Sequence, residues 1–133
     1  FKNYKLKEMK KIKLKINHKD QRGLIIDLLE KKSINAITLI TQKKGKIRGN
    51  HYHKKTTQWN YLLSGKIQIF AAKKNKKKTS IILKKGDLVV TTKNESHAIK
   101  AIINSQFLVF TQGPRGGKEY ENDTYRLSKP LIK

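Results

Sequence analysis

The chain has 133 residues, enough for one domain with its own hydrophobic core. It contains no cysteine, which excludes disulfides and thiolate metal sites and fits a cytoplasmic location, and no apolar run approaches the roughly 20 residues that a membrane-spanning helix requires. The formal net charge of +23, from 28 lysines and 4 arginines against 9 acidic residues, favours an anionic partner without specifying which one.

Short strands dominate the predicted secondary structure. Residues 10–16 alternate between lysine and apolar side chains, which is typical of a half-buried strand. Ser64-Gly65 separates two β-rich segments and indicates a tight hairpin. No stretch of the chain shows good helical periodicity. In chain order the predicted strands cover residues 10–16, 24–29, 34–41, 48–53, 58–63, 66–71, 79–83, 88–92, 97–103 and 107–111.

Short strands at such regular spacing, separated by turns that contain glycine, predict an all-β fold built as a sandwich or a closed barrel. No internal repeat or linker divides the sequence, so residues 1–133 are interpreted as a single domain. We expect the N-terminal strands, residues 10–29, and the C-terminal tail, residues 113–133, to pack on the barrel. The tail has too specific a sequence for a disordered end.

Histidines carry the main functional signal. His51 and His53 stand two residues apart in a predicted strand, so their side chains project from the same face. Gln58 follows on the next strand, and His97 lies beyond a later glycine turn. Three imidazoles and an amide oxygen suit Zn, Ni, Fe or Mn. His18 has no such companions and is interpreted as a surface residue.

A structural interpretation of the same histidines stays open at this point. A His-x-His pair on a strand is often a surface feature or a satisfied polar pair. The accompanying glycines and the distant His97 favour a functional cluster at the mouth of the barrel. Metal binding by this cluster is a separate question from its existence.

These motifs resemble those of the cupin superfamily, G-x5-H-x-H-x3,4-E-x6-G and G-x5-P-x-G-x2-H-x3-N. The resemblance covers residues 34–112 and implies an antiparallel β-barrel of the jelly-roll type. Gln58 stands where the family usually has Glu, which removes a negative charge and should weaken binding of a divalent ion. The matching glycines and histidines are Gly45, His51, His53, Gly65, Gly86 and His97, whereas Thr92, Asn94 and Ala101 depart from the second motif.

A finer resemblance points to enzymes of nucleotide-sugar metabolism. The stretch Arg48-Gly-Asn-His-Tyr-His53 is similar to R-G-x-H-Y-Q of dTDP-4-dehydrorhamnose 3,5-epimerases and to R-G-x-H-A-H of dTDP-4-keto-6-deoxyhexose 3,4-ketoisomerases. It also resembles the C-terminal cupin of capsular polysaccharide reductase-epimerases. Asp20-x-Arg22-Gly23 looks like the D-x-R-G of the rhamnose epimerases.

The resemblance implies an epimerase or isomerase that acts on a 4-keto sugar nucleotide by acid/base chemistry. His51 would be the base and His53 a second acid/base or orienting group, because neutral imidazole suits proton transfer near pH 7. Arg22 and Arg48 would hold the diphosphate. A tyrosine acts as the acid in the epimerases, and the candidates for that role are Tyr61, Tyr120 and Tyr125. Tyr61 is also expected to contact the substrate.

Two other functions remain open on the sequence. One is a metal-dependent cupin of different chemistry, a dioxygenase or a lyase, with metal on His51, His53, Gln58 and His97. The other is a non-catalytic sugar-binding cupin. Nucleic-acid binding is disfavoured because the lysines are dispersed and no aromatic RNA-binding motif is present. Trp59 should face outward, against a second sheet or another subunit, and we expect a homodimer.

Overall fold

The computed structural model describes residues 7–133, so residues 1–6 of the predicted domain lie outside the described part. The elements follow one another as short strands with a single turn and a half of helix near the end. They are β1 (Lys10–Ile12), β2 (His18–Asp20), β3 (Gly23–Ile25), β4 (Ala36–Gln42), β5 (Ile47–Tyr52), β6 (Thr57–Ser64), β7 (Ile67–Lys73), β8 (Thr79–Leu83), β9 (Leu88–Thr91), β10 (Glu95–Ala101), β11 (Ser105–Gln112), α1 (Lys118–Asn122) and β12 (Tyr125–Arg126).

Two five-stranded antiparallel sheets make up the barrel. The first has the order β1-β9-β6-β11-β4 and the second β12-β5-β10-β7-β8. Strands adjacent in the sheets are often distant in the sequence, as in a jelly roll. The predicted all-β fold is confirmed. None of the helices in residues 7–133 is long and apolar enough to cross a membrane.

The main core lies between the two sheets. Alternate residues of each strand point inward, as the period of two requires; in β11 these include the buried Phe107 and Val109. They meet Ile67 and Ile69 of the opposite sheet in one hydrophobic cluster. Leu62 of β6 completes this packing. Phe107 and Val109 of this cluster also border an interior cavity that polar side chains line.

Trp59 belongs to a second apolar layer, on the outer face of the first sheet. Gln58 lines the interior cavity, so the opposite parity of Trp59 turns it outward as predicted. Trp59 is only 2% exposed and packs with Leu88 and Val90. Its cover is neither a second sheet nor another subunit: the N-terminal segment of the same chain covers it, through side chains that include Leu14 and Leu29.

The N-terminal strands differ from their predicted extents. β1 ends at Ile12 and pairs with β9, whereas β2 and β3 form a separate two-stranded sheet. The strand predicted over 24–29 ends at Ile25, because Asp27 bonds to the Asn17 side chain and turns the chain. Side-chain bonding of this kind competes with strand pairing. Alternation alone did not reveal that competition.

The C-terminal tail lies against the barrel. β12 pairs with β5, and Asp123 accepts hydrogen bonds from the turn that joins β5 to β6. Where the tail leaves β11, a Cβ on Gly113 would lie 2.5 Å from the carbonyl oxygen of Lys55, so this crossing needs glycine. The helix α1 was not predicted because five residues are too few to show a helical period.

Candidate active site

A cavity of about 240 Å³ adjoins the main core inside the barrel. Both sheets and the tail contribute to its wall. Apolar side chains such as Ile40 and Phe107 form its floor. The polar or charged side chains that line it include Arg48, His51, Gln58, Asn60, His97, Arg115 and Tyr120.

Three histidines meet at this cavity. His51 of β5 stands directly opposite His97 of β10 in the strand register, and their ring centroids are 4.8 Å apart. His53 follows β5, with its ring 4.8 Å from that of His51 and 5.3 Å from that of His97. One ring nitrogen from each histidine lies within 4.8 Å of the others. The structure thus brings together the histidines that the sequence singled out.

Gly49 lets β10 come close to β5 just before His51. The register between these strands shifts at His97 and Ala98, which marks a β-bulge. Gly49 has a φ of +93°, and a Cβ there would lie 2.9 Å from the carbonyl oxygen of His97. The glycine of the Arg48-Gly49 pair is therefore required by the backbone that sets the histidines opposite each other.

Hydrogen bonds to backbone carbonyls orient two of the rings. Nδ1 of His53 lies 2.9 Å from the carbonyl oxygen of Asp123, and Nδ1 of His97 lies 3.3 Å from that of Glu95. A carbonyl oxygen only accepts, so each Nδ1 donates its proton. Nε2 of His53 is buried and has no hydrogen-bond partner in the described part of the chain. That nitrogen is left with an unused lone pair.

Burial keeps all three imidazoles neutral at pH 7. Desolvation, followed by repulsion from His53 and Arg126, lowers the pKa of His51 to about 4, although Glu121 opposes this shift. Desolvation, followed by repulsion from the other two histidines, lowers the pKa of His97 to about 3. Desolvation also lowers the pKa of His53. Each ring can then accept a proton or bind a metal ion.

We expect the free energy of unfolding to fall as the pH is lowered from about 6.5 towards 3. In this range the unfolded chain protonates His97 and its neighbours, whereas the folded chain does not, so acid favours unfolding. Urea unfolding at pH 7 and pH 5 measures the effect. His97→Gln should flatten this dependence and His18→Asn should not. Equal stability of the wild type at both pH values would contradict the buried, neutral cluster.

Arginine gives the cavity its charge. Arg48 and Arg115 both line it, and within residues 7–133 no Asp or Glu does. The guanidinium of Arg115 lies 4.2 Å from the centroid of the Tyr120 ring, a cation–π contact. The Tyr120 ring in turn lies 5.3 Å from that of His53. A cavity with two guanidinium groups and neutral imidazoles suits an anionic ligand.

Some of the predicted site residues do not line the cavity of the single chain. Arg22 is exposed on the β2–β3 hairpin, where it bonds to Asp20, and does not line the cavity. Tyr61 shares the outward face of β6 with Trp59 and packs in the outer apolar layer. Tyr125 stacks on Tyr52. Tyr120 is the tyrosine of the three candidates that reaches the cavity.

Arg115 was not predicted from the sequence. It stands between Gly113-Pro114 and Gly116-Gly117, a pattern that marks a break in the strands but carries no site signature. Its rarity, as one of 4 arginines among 28 lysines, is the signal that could have drawn attention to it. Only the path of the tail places it at the cavity.

The cluster fits a transition metal by its donors. Nε2 of His53 is an orphaned buried acceptor, His51 and His97 offer further ring nitrogens nearby, and Gln58 lines the same cavity. Zn, Ni, Fe and Mn all accept imidazole and amide oxygen ligands. These donors are neutral, so they would not offset the charge of a divalent ion.

The family model of the polysaccharide biosynthesis C-terminal domain matches residues 18–125, which include the hairpin, the histidine cluster and most of the tail. The chain belongs to this family. A comparison with curated proteins gave no significant match.

Solved structures with the same fold include sugar-nucleotide enzymes. A 3,4-ketoisomerase from Helicobacter canadensis is 23% identical, with 90% of each chain covered and a TM-score of 0.75. The TDP-quinovose 3,4-ketoisomerase from Campylobacter jejuni is 22% identical, with 92% of this chain and 95% of that chain covered and a TM-score of 0.77. The dTDP-4-dehydrorhamnose 3,5-epimerase from Sulfolobus tokodaii is 16% identical, with 90% and 76% covered and a TM-score of 0.71. At these identities the likeness establishes that this polysaccharide biosynthesis C-terminal domain has the cupin fold.

Proposed function

We propose that this polysaccharide biosynthesis C-terminal domain epimerises or isomerises a 4-keto sugar nucleotide by histidine acid/base chemistry. The observation that carries the proposal is the lining of the cavity. Neutral histidines face a space lined by two arginines and, within residues 7–133, by no carboxylate. The fold shared with ketoisomerases and epimerases that act on such sugars supports the same conclusion. We place this activity in the cytoplasm, a location that the lack of cysteine also fits.

His51 is the proposed base. A proton on carbon 3 of a 4-keto sugar is acidic because the adjacent ketone stabilises the enolate that its removal leaves. The His51 side chain lines the cavity, and burial lowers its pKa to about 4, so its lone pair is available at pH 7. His53, behind it, would orient His51 or serve as a second acid/base group.

Tyr120 is the proposed acid. Its ring lines the cavity beside His53, whereas those of Tyr61 and Tyr125 do not reach it. Proton return to carbon 3 on the opposite face would complete epimerisation. Return to carbon 4, while the hydroxyl proton on the oxygen of carbon 3 passes to the oxygen of carbon 4, would leave the ketone at carbon 3 and complete ketoisomerisation. The guanidinium of Arg115 over the Tyr120 ring would hold that ring at the cavity.

The diphosphate is proposed to lie at Arg48. At about 240 Å³ the cavity is smaller than most ligand pockets, which span roughly 300–1,000 Å³, so it would hold the sugar and leave the nucleotide at its mouth. Arg48 also lines a neighbouring groove of about 350 Å³ together with Lys43 and Lys46. A planar guanidinium between cavity and groove suits phosphate oxygens.

We expect Arg48→Gln to raise KM for the sugar nucleotide by roughly 10- to 100-fold with a smaller change in kcat, because a hydrogen bond to a charged group contributes about 1.5–3 kcal/mol. Steady-state kinetics measure this effect. Lys85→Gln, which removes the same charge from an exposed turn, is the matched control. Arg22→Gln tests the prediction that Arg22 also holds the diphosphate. An unchanged KM in this variant would show that Arg22 does not bind the substrate. An Arg48→Gln enzyme with wild-type KM would place the diphosphate elsewhere.

A transition metal is a second candidate component of the site. His51, His53 and His97 would hold it, with Gln58 as a further ligand, and when bound it would act as a Lewis acid on the ketone. Metal content of tag-free protein, measured by mass spectrometry for the wild type and His97→Asn, tests its presence. Chelation that abolishes activity on the sugar nucleotide would exclude a metal-free acid/base enzyme. Bound metal without any activity on a 4-keto sugar nucleotide would favour the metal-dependent alternatives, a dioxygenase or a lyase among them.

Proton exchange at the sugar tests the proposed function directly. TDP-4-keto-6-deoxyglucose, which one solved 3,4-ketoisomerase complex holds, is incubated with the protein in D₂O and followed by NMR. Deuterium at carbon 3 with inverted configuration and the ketone retained at carbon 4 indicates epimerisation, and deuterium at carbon 4 with the ketone at carbon 3 indicates ketoisomerisation. Binding of this compound and of its UDP analogue without any exchange would contradict the proposal and favour a non-catalytic sugar-binding cupin.

We also propose that the protein forms a homodimer. Apolar side chains are exposed on the edge strand β4, at Ile37 and Leu39, and on the β2–β3 hairpin, at Leu24 and Ile25. Exposed apolar surface of this kind is often covered by a partner. Light scattering of the purified protein measures the mass, and a monomer at micromolar concentration would contradict the dimer.

A further inference from the structure

Two buried carboxylates stand behind the histidine cluster, and neither belongs to the cavity wall. Asp123 is 4% exposed and Glu95 is 2% exposed. Asp123 lies in the tail just after α1, and Glu95 begins β10. Both are unusual positions for acidic side chains, which are rarely buried unless each is fully hydrogen-bonded.

The carboxylate of Asp123 holds the turn that follows His53. It accepts hydrogen bonds from the backbone N–H groups of Lys54 and Lys55, each at 3.1 Å, and from the Thr56 hydroxyl at 2.7 Å. Burial alone would raise the pKa of Asp123, but the bonds from Thr56, Lys55 and Lys54 outweigh it and lower that pKa. The backbone carbonyl of the same residue accepts the proton of His53 Nδ1 at 2.9 Å.

Glu95 repeats this arrangement on the other side of the cluster. Its carboxylate accepts hydrogen bonds from the N–H of Met9 at 2.6 Å and from the N–H and hydroxyl of Thr92 at 3.0 and 3.1 Å. Its backbone carbonyl faces Nδ1 of His97 at 3.3 Å. Each acid therefore anchors its own backbone by its side chain and presents its carbonyl to a histidine.

We propose that Asp123 and Glu95 are paired positioning residues that fix His53 and His97 in the Nδ1–H tautomer. The anchored carbonyls take both Nδ1 protons, so the Nε2 lone pairs are the acceptors left to the site. A histidine in the opposite tautomer would place an N–H where the cluster needs a lone pair, whether for a proton or for a metal ion. The two acids also connect the histidine cluster to distant parts of the chain. Asp123 belongs to the tail, and the Glu95 carboxylate binds the N–H of Met9 in the N-terminal segment.

The test reads the tautomers by nitrogen NMR of protein labelled with ¹⁵N-histidine and treated with a chelator. The chain has 4 histidines, so single His→Asn variants assign the signals. In the wild type we expect His53 and His97 to show a protonated Nδ1 and an unprotonated Nε2. A protonated Nε2 at either residue would overturn the proposal for that residue, with no variant needed.

Variants then separate the two acids. Asp123→Ala should mix the tautomers of His53 and leave His97 unchanged, and Glu95→Ala should do the reverse. Glu30→Gln, an exposed acid, should change neither. A folded Asp123→Ala protein with a purely Nδ1-protonated His53 would overturn the role of Asp123. Asp123→Asn, which keeps an acceptor oxygen for Thr56, should retain more of the wild-type signature.

This inference concerns the site of the proposed function, but the tautomers are read without any substrate. Failure of the tautomer test would overturn the positioning role alone, whereas failure of the proton-exchange test would overturn the proposed activity. If the enzyme turns over a 4-keto sugar nucleotide, Asp123→Ala should lower kcat by about 10- to 100-fold, as loss of an orienting partner typically does, with little change in KM. A rise in KM alone would indicate a general loosening of the cavity and contradict the positioning role.

Discussion

His51→Asn is expected to lower kcat for the 4-keto sugar nucleotide by about 100- to 10,000-fold, the range that general acid/base groups contribute. Asparagine keeps much of the shape of imidazole but has no basic lone pair. His51 lies opposite His97 in the pairing of β5 with β10, at the cavity. Its side chain is neutral, so the fold does not depend on a charge at this position. We therefore expect an unchanged circular dichroism spectrum. Steady-state kinetics and deuterium exchange at carbon 3 measure the loss.

His18→Asn is the matched control for this substitution. His18 lies on the β2–β3 hairpin, where it bonds to Asp20, and does not join the cluster. The control should retain wild-type kcat. A His51→Asn protein with full exchange at carbon 3 would remove His51 as the base and leave His53 as the next histidine to test.

Trp59→Ala is expected to lower the free energy of unfolding by about 3–5 kcal/mol, as for other buried tryptophans. Trp59 is 2% exposed and packs between the outer face of the first sheet and the N-terminal segment. Its removal leaves a cavity and frees the cover that Leu14 and Leu29 provide. Urea unfolding, followed by circular dichroism, measures the change. The free energy of unfolding of Trp59→Phe should lie between those of the wild type and Trp59→Ala.

Ile82→Ala is the control for the loss of Trp59, because Ile82 is an apolar residue of β8 that is 45% exposed. It should change the stability by less than about 0.5 kcal/mol. A similarly small effect of Trp59→Ala would mean that the N-terminal segment does not cover the sheet in solution.

Much of the fold was predictable because strand alternation is a local property. The β6 and β7 segments and the Ser64-Gly65 turn between them were read from residues that are neighbours in the sequence. The separate β2–β3 sheet and α1 were not, since a three-residue strand or a five-residue helix is too short for a periodic signal. β12 has two residues and exists only through its pairing with β5.

The site divides in the same way. The motif spacing placed His51 and His53 on one strand face and assigned Gln58 to the next strand, and the resemblance joined His97 to them. Tyr61 was a candidate by residue type and Arg22 by motif, but neither side chain lines the cavity in the folded chain. Tyr120 could not be chosen over them without the path of the tail.

The sequence by itself determined an all-β fold, a pair of histidines on one strand face and a preference for anionic partners, because alternation, short-range spacing and net charge are properties of the linear chain. Tertiary structure alone decided that Arg115 and Tyr120 reach the cavity and that the N-terminal segment covers Trp59. It also decided that Asp123 meets His53, since these residues are 70 positions apart in the chain. Such contacts depend on how the tail packs against β5, and no local pattern in the sequence encodes that packing.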